Sequence, residues 1–179
     1  MIIAKETSIS RAWFVYHKSL GNSYYLNLNT TGAAATPNTG RLEVNGNDTF
    51  ICGTDGTNQI AYCFAEVDGY SKFGSYTGNG SSDGTFVYTG FRPAFVMFRK
   101  VSGDRWIMSD SARGSYNFID EFLDAGSDHV ETNFNITGGV DYLSNGFKWR
   151  HNDGSINASG ADYIYIAFAE TPFKHTNGR

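Results

Sequence analysis

No stretch of this chain repeats its apolar residues with the 3.6-residue period of a helix. Short runs rich in Tyr, Phe, Val and Ile recur instead, each bounded by Gly, Asn, Asp or Ser. Such runs are the signature of strands, and they restrict the chain to an all-β fold. Strands are expected at residues 1–5, 12–17, 24–27, 49–52, 60–67 and 74–78. Others are expected at 85–88, 94–101, 105–109, 122–125, 141–143, 146–150 and 163–170. The pairs Asp55-Gly56, Asn79-Gly80, Asp83-Gly84, Asn145-Gly146 and Asp153-Gly154 supply turns between them. One helical turn is expected within residues 117–124. Residues 164–169 are apolar on both faces, which suits a central strand or one packed on a neighbouring module. The expected architecture is an antiparallel β-sandwich of jelly-roll or concanavalin/lectin-like type.

The chain also repeats itself. Ile60-Ala-Tyr-Cys-Phe-Ala-Glu66 matches Ile164-Tyr-Ile-Ala-Phe-Ala-Glu170 at an offset of 104. Phe50-Ile-Cys52 matches Phe147-Lys-Trp149 at 97. Arg11-Ala-Trp13 lies on Asp104-Arg-Trp106 at 93, and Met1-Ile-Ile-Ala-Lys5 on Phe95-Val-Met-Phe-Arg99 at 94. Residues 1–67 are read as a first repeat and 68–179 as a second, with the option that the two merge into one sandwich. Two strands, 74–78 and 85–88, precede the second copy's Phe95 strand, and the first copy has no counterpart of them. The expectation is that the chain is a piece of a longer repeat protein or that another chain supplies a strand. A missing strand leaves an open sheet edge, which templates pairing.

Composition narrows the function. The 179 residues include 14 Lys+Arg and 18 Asp+Glu, a net charge of -4, with no basic cluster. That argues against nucleic-acid binding. No run approaches 18 apolar residues, so no membrane insertion is expected. Eleven Tyr, 14 Phe and 3 Trp exclude a disordered chain. Cys52 and Cys63 do not form a disulfide framework and read as small buried hydrophobes, although one hairpin could bring them face to face.

Six stretches carry a family resemblance. They are Ala12-Trp-Phe-Val-Tyr-His-Lys-Ser-Leu-Gly21, residues 61–80, Gly90-Phe-Arg-Pro-Ala-Phe-Val-Met-Phe98, Leu143-Ser-Asn-Gly-Phe-Lys148, Asn157-Ala-Ser-Gly160, and residues 163–170 with the Pro172-Phe-Lys174 tail. Together they resemble a domain of unknown function repeated in tail and fibre-like structural proteins of marine bacteriophages. The resemblance implies a virion component with a lectin-like sandwich, and it brings no catalytic motif. Members of that family carry a strand before the segment that begins here at Met1, which implies truncation. Residues 41–55 are shorter and less regular than the family's usual stretch.

The residues themselves offer little catalytic chemistry. His17, His129, His151 and His175 are scattered, without metal-ligand spacing. No G-x-S-x-G and no phosphate-binding loop is present. Glu66 and Glu170 end equivalent strands and could form a carboxylate pair, but a repeated Phe-Ala-Glu reads first as a strand end. Asp153-Gly-Ser-Ile-Asn157 and Asp55-Gly-Thr-Asn58 place oxygen ligands in tight turns but lack a calcium loop's length and terminal acid. No cofactor or metal is expected.

Sugar recognition joins an aromatic face to polar side chains. Trp149 with its polar neighbours, and Tyr116 with Arg113 and Asn117, have that composition. Trp149 lies two residues from Phe147 on one strand face and reads as core, as do Phe50, Cys52, Trp13 and Trp106. The ligand-binding candidates are therefore the loop residues Arg150, His151, Asn152, Asp153 and Asn157. The N-x-S/T triplets at Asn29, Asn47, Asn79, Asn135 and Asn157 reflect a chain rich in these residues.

The expectation is a non-enzymatic bacteriophage structural protein located in the virion, in a tail fibre or tail-associated adhesion module. Its partners would be other virion proteins, further copies of itself in an oligomer such as a trimer, and a host cell-surface glycan. The alternatives are a free-standing carbohydrate-binding or weakly glycan-cleaving module, and a capsid decoration protein.

Overall fold

The computed structural model describes residues 1–36, 42–45, 49–53, 57–114, 116–133 and 138–171. The first half holds β1 (Ile2–Glu6), β2 (Phe14–Tyr16), β3 (Leu26–Asn27), β4 (Leu42–Asn45), β5 (Thr49–Cys52) and β6 (Gln59–Cys63). The second half begins with β7 (Ser71–Thr77), β8 (Phe86–Tyr88), β9 (Pro93–Lys100), β10 (Ile107–Asp110) and β11 (Glu121–Asp124). It ends with β12 (Thr132–Asn133), β13 (Val140–Leu143), β14 (Gly146–Trp149) and β15 (Asp162–Ala169). Every strand pairing is antiparallel. The protein is an all-β antiparallel sandwich.

Sequence and structure differ at several elements, among them β12, a two-residue strand outside those expected. The helical turn expected in residues 117–124 is absent: β11 occupies its end, and Phe122 reaches the core. The helix among the described residues is a 3-10 turn, Lys18–Leu20, started by the His17 ring accepting the Ser19 N–H at 3.2 Å. Strand β4 was not anticipated, because a run of Leu, Glu, Val and Asn carries little strand propensity. Its Leu42 is nonetheless buried against the first half's sheet.

The strands form four layers. The sheet β12-β11-β10-β9-β15-β7 lies at the centre, and β13-β14-β8 covers one of its faces. The core between those two holds Phe98, Phe122, Tyr142, Phe147, Trp149, Tyr163 and Tyr165. The sheet β3-β2-β1-β6 covers the opposite face, with Met1, Val15, Leu26, Met97, Trp106, Ile164 and Ile166 between. The hairpin β4-β5 packs on the far side of that sheet around Ala4, Phe14, Tyr16 and Tyr25. This explains β15: Tyr163, Tyr165 and Ala167 enter one core while Ile164 and Ile166 enter the next. Successive side chains of a strand point to opposite faces, so a run apolar on both needs a layer on each side.

The halves share a strand order. β3-β2-β1-β6 in the first runs as β11-β10-β9-β15 does in the second. Register agrees as well. Ile3↔Tyr62 in the first half, shifted by the sequence offsets of 94 and 104, becomes Met97↔Ile166, a pair the second half contains. Likewise Ile3↔Val15 becomes Met97↔Met108, and Val44↔Phe50 corresponds to Tyr142↔Phe147.

Burial agrees less well. Trp106 is buried, but Trp13 is half-buried and stacks on Tyr62 at 6.4 Å between ring centroids. Phe147 and Trp149 are core as expected, whereas Phe50 is exposed and Cys52 is half-buried. The strands that cover the second half's equivalents have no counterpart in the first half among the described residues. Cys52 and Cys63 are free thiols, and Cys63 is exposed rather than buried.

Candidate functional site

The polar loop singled out from sequence leaves β14 and returns to β15. Its first residue is held by charge. Arg150 donates from Nε to Asp141 at 2.5 Å and from Nη1 to Asp83 at 3.3 Å. Lys148 meets the same Asp83 oxygen at 2.7 Å. The hydrogen bond and charge of Lys148 hold the Asp83 carboxyl below its usual range. His151 is buried, and its Nδ1 accepts the Asp153 N–H at 2.8 Å. Asp153 Oδ1 accepts the Ser155 N–H at 2.7 Å, and its carbonyl accepts from Ile156 and Asn157. The oxygens offered as calcium ligands thus close a turn on themselves. Among the described residues no group of three or more His, Cys, Asp or Glu is placed to hold a metal. Asp55 and Gly56 of the other calcium candidate lie outside the described residues, as do His175, Asn47, Asn135 and the 172–174 tail.

Asn157 does most to shape the loop. It is fully buried. Its Nδ2 faces Asn79 Oδ1 at 2.8 Å, the Ser81 carbonyl at 2.9 Å and the His151 carbonyl at 3.0 Å. Its Oδ1 accepts the Asn79 N–H at 3.0 Å and the Thr85 hydroxyl at 3.3 Å. One amide therefore ties the loop after β14 to the loop between β7 and β8. With both ends of the amide used inside the protein, Asn157 and His151 are framework. Arg150, Asn152 and Asp153 are the members of the set that reach solvent. Sequence could not separate these roles, because Asn suits an exposed turn and a buried bridge equally well.

The second aromatic candidate divides in the same way. Tyr116 stands 86% exposed. Asn117 instead brackets the Tyr142 backbone, donating to its carbonyl and accepting from its N–H at 3.0 Å each. Arg113 is ion-paired to Asp110 at 2.7 Å and to Glu131. Glu66 and Glu170 each hold their own cation, Lys72 at 2.7 Å and Arg92 at 2.8 Å. The Lys72 hydrogen bond keeps the Glu66 carboxyl below its usual range. Glu66 stands three residues beyond the end of β6 and Glu170 one residue beyond β15, each ion-paired to a different cation.

Two clefts, which depend on tertiary packing, were not legible in sequence. One, of about 710 Å³, lies along the seam between the halves and is lined by Leu20, Tyr24, Ala34, Val101 and Asp162. The other, of about 530 Å³, opens between the edges of β5 and β6 and is lined by Phe50, Cys63, Phe64, Glu66 and Phe73.

Comparison with known proteins gives a single finding. No curated protein matches the chain, and no solved structure does. A family model described as "Domain of unknown function (DUF7483)" matches residues 1–172.

Proposed function

The chain belongs to this family of unknown function, and from that premise we propose that it is a non-enzymatic structural module of a bacteriophage virion. Its place is a tail fibre or tail-associated part that meets the host surface. The observation that carries the reading is the back-to-back stacking of two sheets of equal strand order and register. Units that bury their faces on like units extend by repetition, as elongated assemblies require. The polar loops lie at the ends of the strands, where many weak contacts on one particle would add through effective concentration. The partners are other virion proteins, further copies of the chain and a host glycan.

Native mass in solution tests this reading. Light scattering should give a stable trimer or larger assembly; a monomer of 19.7 kDa at all concentrations counts against it. The double variant Glu66→Gln/Glu170→Gln should adhere like the parent, and loss of a hydrolytic activity would overturn the non-enzymatic reading. A free-standing carbohydrate-binding module is the second reading, favoured by the outward Tyr116 ring. It requires that Tyr116→Ala abolish glycan binding by the monomer.

A further inference from the structure

The correspondence between halves also shows where they differ. In the second half β15 pairs along its outer edge with β7, from Asp162↔Thr77 to Phe168↔Ser71. β14 pairs along its outer edge with β8, where Phe147 faces Val87. One strand–loop–strand segment, β7–β8, thus adds a strand to each sheet of that sandwich. In the first half β6 stands for β15 and β5 for β14. Among the described residues neither has a strand on its outer edge.

The consequence is visible residue by residue. Phe50 is 37% exposed where Phe147 is fully buried. Cys63 is exposed where Ala167 is fully buried. In the second half Tyr76 of β7 lies stacked on Tyr163 at 4.8 Å and edge-on to Phe147 at 6.3 Å. In the first half the corresponding space is the cleft of about 530 Å³ between Phe50 and Cys63. Two open edges with apolar side chains around an empty groove form a strand-addition site.

We propose that the edges of β6 and β5 bind a strand–loop–strand segment donated by a partner protein, one strand to each edge, with the strand chemistry of this chain's own Ser71–Thr77 and Phe86–Tyr88. The occupant is specified by the internal example. Its first strand runs antiparallel to β6, with a Phe73-like residue opposite Tyr62 and a Lys72-like residue opposite Cys63. An aromatic ring corresponding to Tyr76 fills the groove beside Phe50. Its second strand lies on β5, with a Val87-like residue opposite Phe50. A second copy of this chain is a poor donor, because its β7–β8 segment already fills its own core through Tyr76 and Val87. The inference rests on strand correspondence and is independent of the virion reading.

The test uses the full chain and a synthetic peptide of residues 68–93. Alkylation of Cys63, followed by mass spectrometry, should slow by at least about 5-fold as the peptide saturates, because a covered thiol is shielded from reagent. The peptide carrying Tyr76→Asp should give no protection, and neither should the parent peptide on a Phe50→Asp chain. Phe50 is solvent-facing, so that variant keeps its fold. A second measurement removes weak affinity as an explanation. Residues 68–94 fused directly ahead of Met1 reproduce the connection that leads into β9, and they make the association intramolecular. Shielding of Cys63 and a rise in Tm of at least about 3 °C are expected of the fusion. Unchanged Cys63 reactivity in the fusion overturns the proposal. So does protection of Cys63 by self-association of the chain alone, which would make the occupant a second copy.

Discussion

His17 has no exposed surface, and it joins the two halves through one proton. Its Nδ1 accepts the Ser19 N–H, so Nε2 carries the hydrogen and donates to the Tyr165 carbonyl at 3.0 Å. Burial, aided by the nearby N-terminal ammonium, pulls the imidazole from 6.5 down to about 4, against the pull of the Tyr165 carbonyl and Glu66. The unfolded chain binds a proton at His17 below pH 6.5 while the folded chain does not until about pH 4. Stability is therefore full above pH 6.5 and falls by about 3 kcal/mol as pH drops toward 4. Urea titrations across this range should show the loss, and His17→Gln should flatten it. Arg99 is a buried cation between the halves. Its guanidinium donates to the Asn27 and Gly32 carbonyls and lies 5.7 Å from the Trp106 ring centre. Burial pulls it from 12.5 to about 10. Arg99→Ala leaves a void and an unpartnered Gly32 carbonyl, and should cost about 3 kcal/mol in a urea titration. Neither role is legible in sequence, since His17 follows β2 and Arg99 lies within β9, and only the stacking of the sheets covers them.

At the scale of elements, the strands follow their turns. Gly146 shows how tightly. A Cβ there would come within 2.1 Å of the Val87 carbonyl, which is backbone and cannot move aside. Gly146→Ala should part β14 from β8 and cost at least about 2 kcal/mol, read as a lowered Tm. Asn157→Ala removes the bridge between the loop after β14 and the loop between β7 and β8. Since it strands the Asn79 N–H, the loss should be about 2 kcal/mol. Hydrogen exchange should quicken at residues 79–85 while β9 and β15 keep their protection. The candidate loop was legible as composition: Arg, His, Asn and Asp cluster at a strand end. Which members turn inward was decided by contacts with residues some seventy positions away, such as Asn79 to Asn157.

The whole molecule unfolds as its layers dictate. The central sheet contributes residues to two cores at once, so losing the first half's sheet exposes Ile164, Ile166 and Met97, and losing β13-β14-β8 exposes Phe98, Tyr163 and Tyr165. Residues 1–67 expressed alone lack Met97, Trp106 and Ile164, which cover one face of their sheet. That fragment should give a denatured spectrum by circular dichroism, whereas the full chain should melt in a single transition. Two resolved transitions in calorimetry would mean that the seam between halves couples them weakly.

Sequence alone determined most of the strands and the internal correspondence, because period-two patterning and Gly/Asn turns act over a few residues; the short strands β4 and β12 escaped it. The repeat offsets even contained the register of β1 on β6 and of β9 on β15, since equal patterns pair in equal ways. Tertiary structure decided which faces meet. Ile60 and Ile164 carry the same side chain at corresponding positions, yet only Ile164 is buried, because β7 and the first half's sheet lie over it. Trp13 and Trp106 diverge likewise. Burial depends on what other layers cover, and no local pattern carries that information.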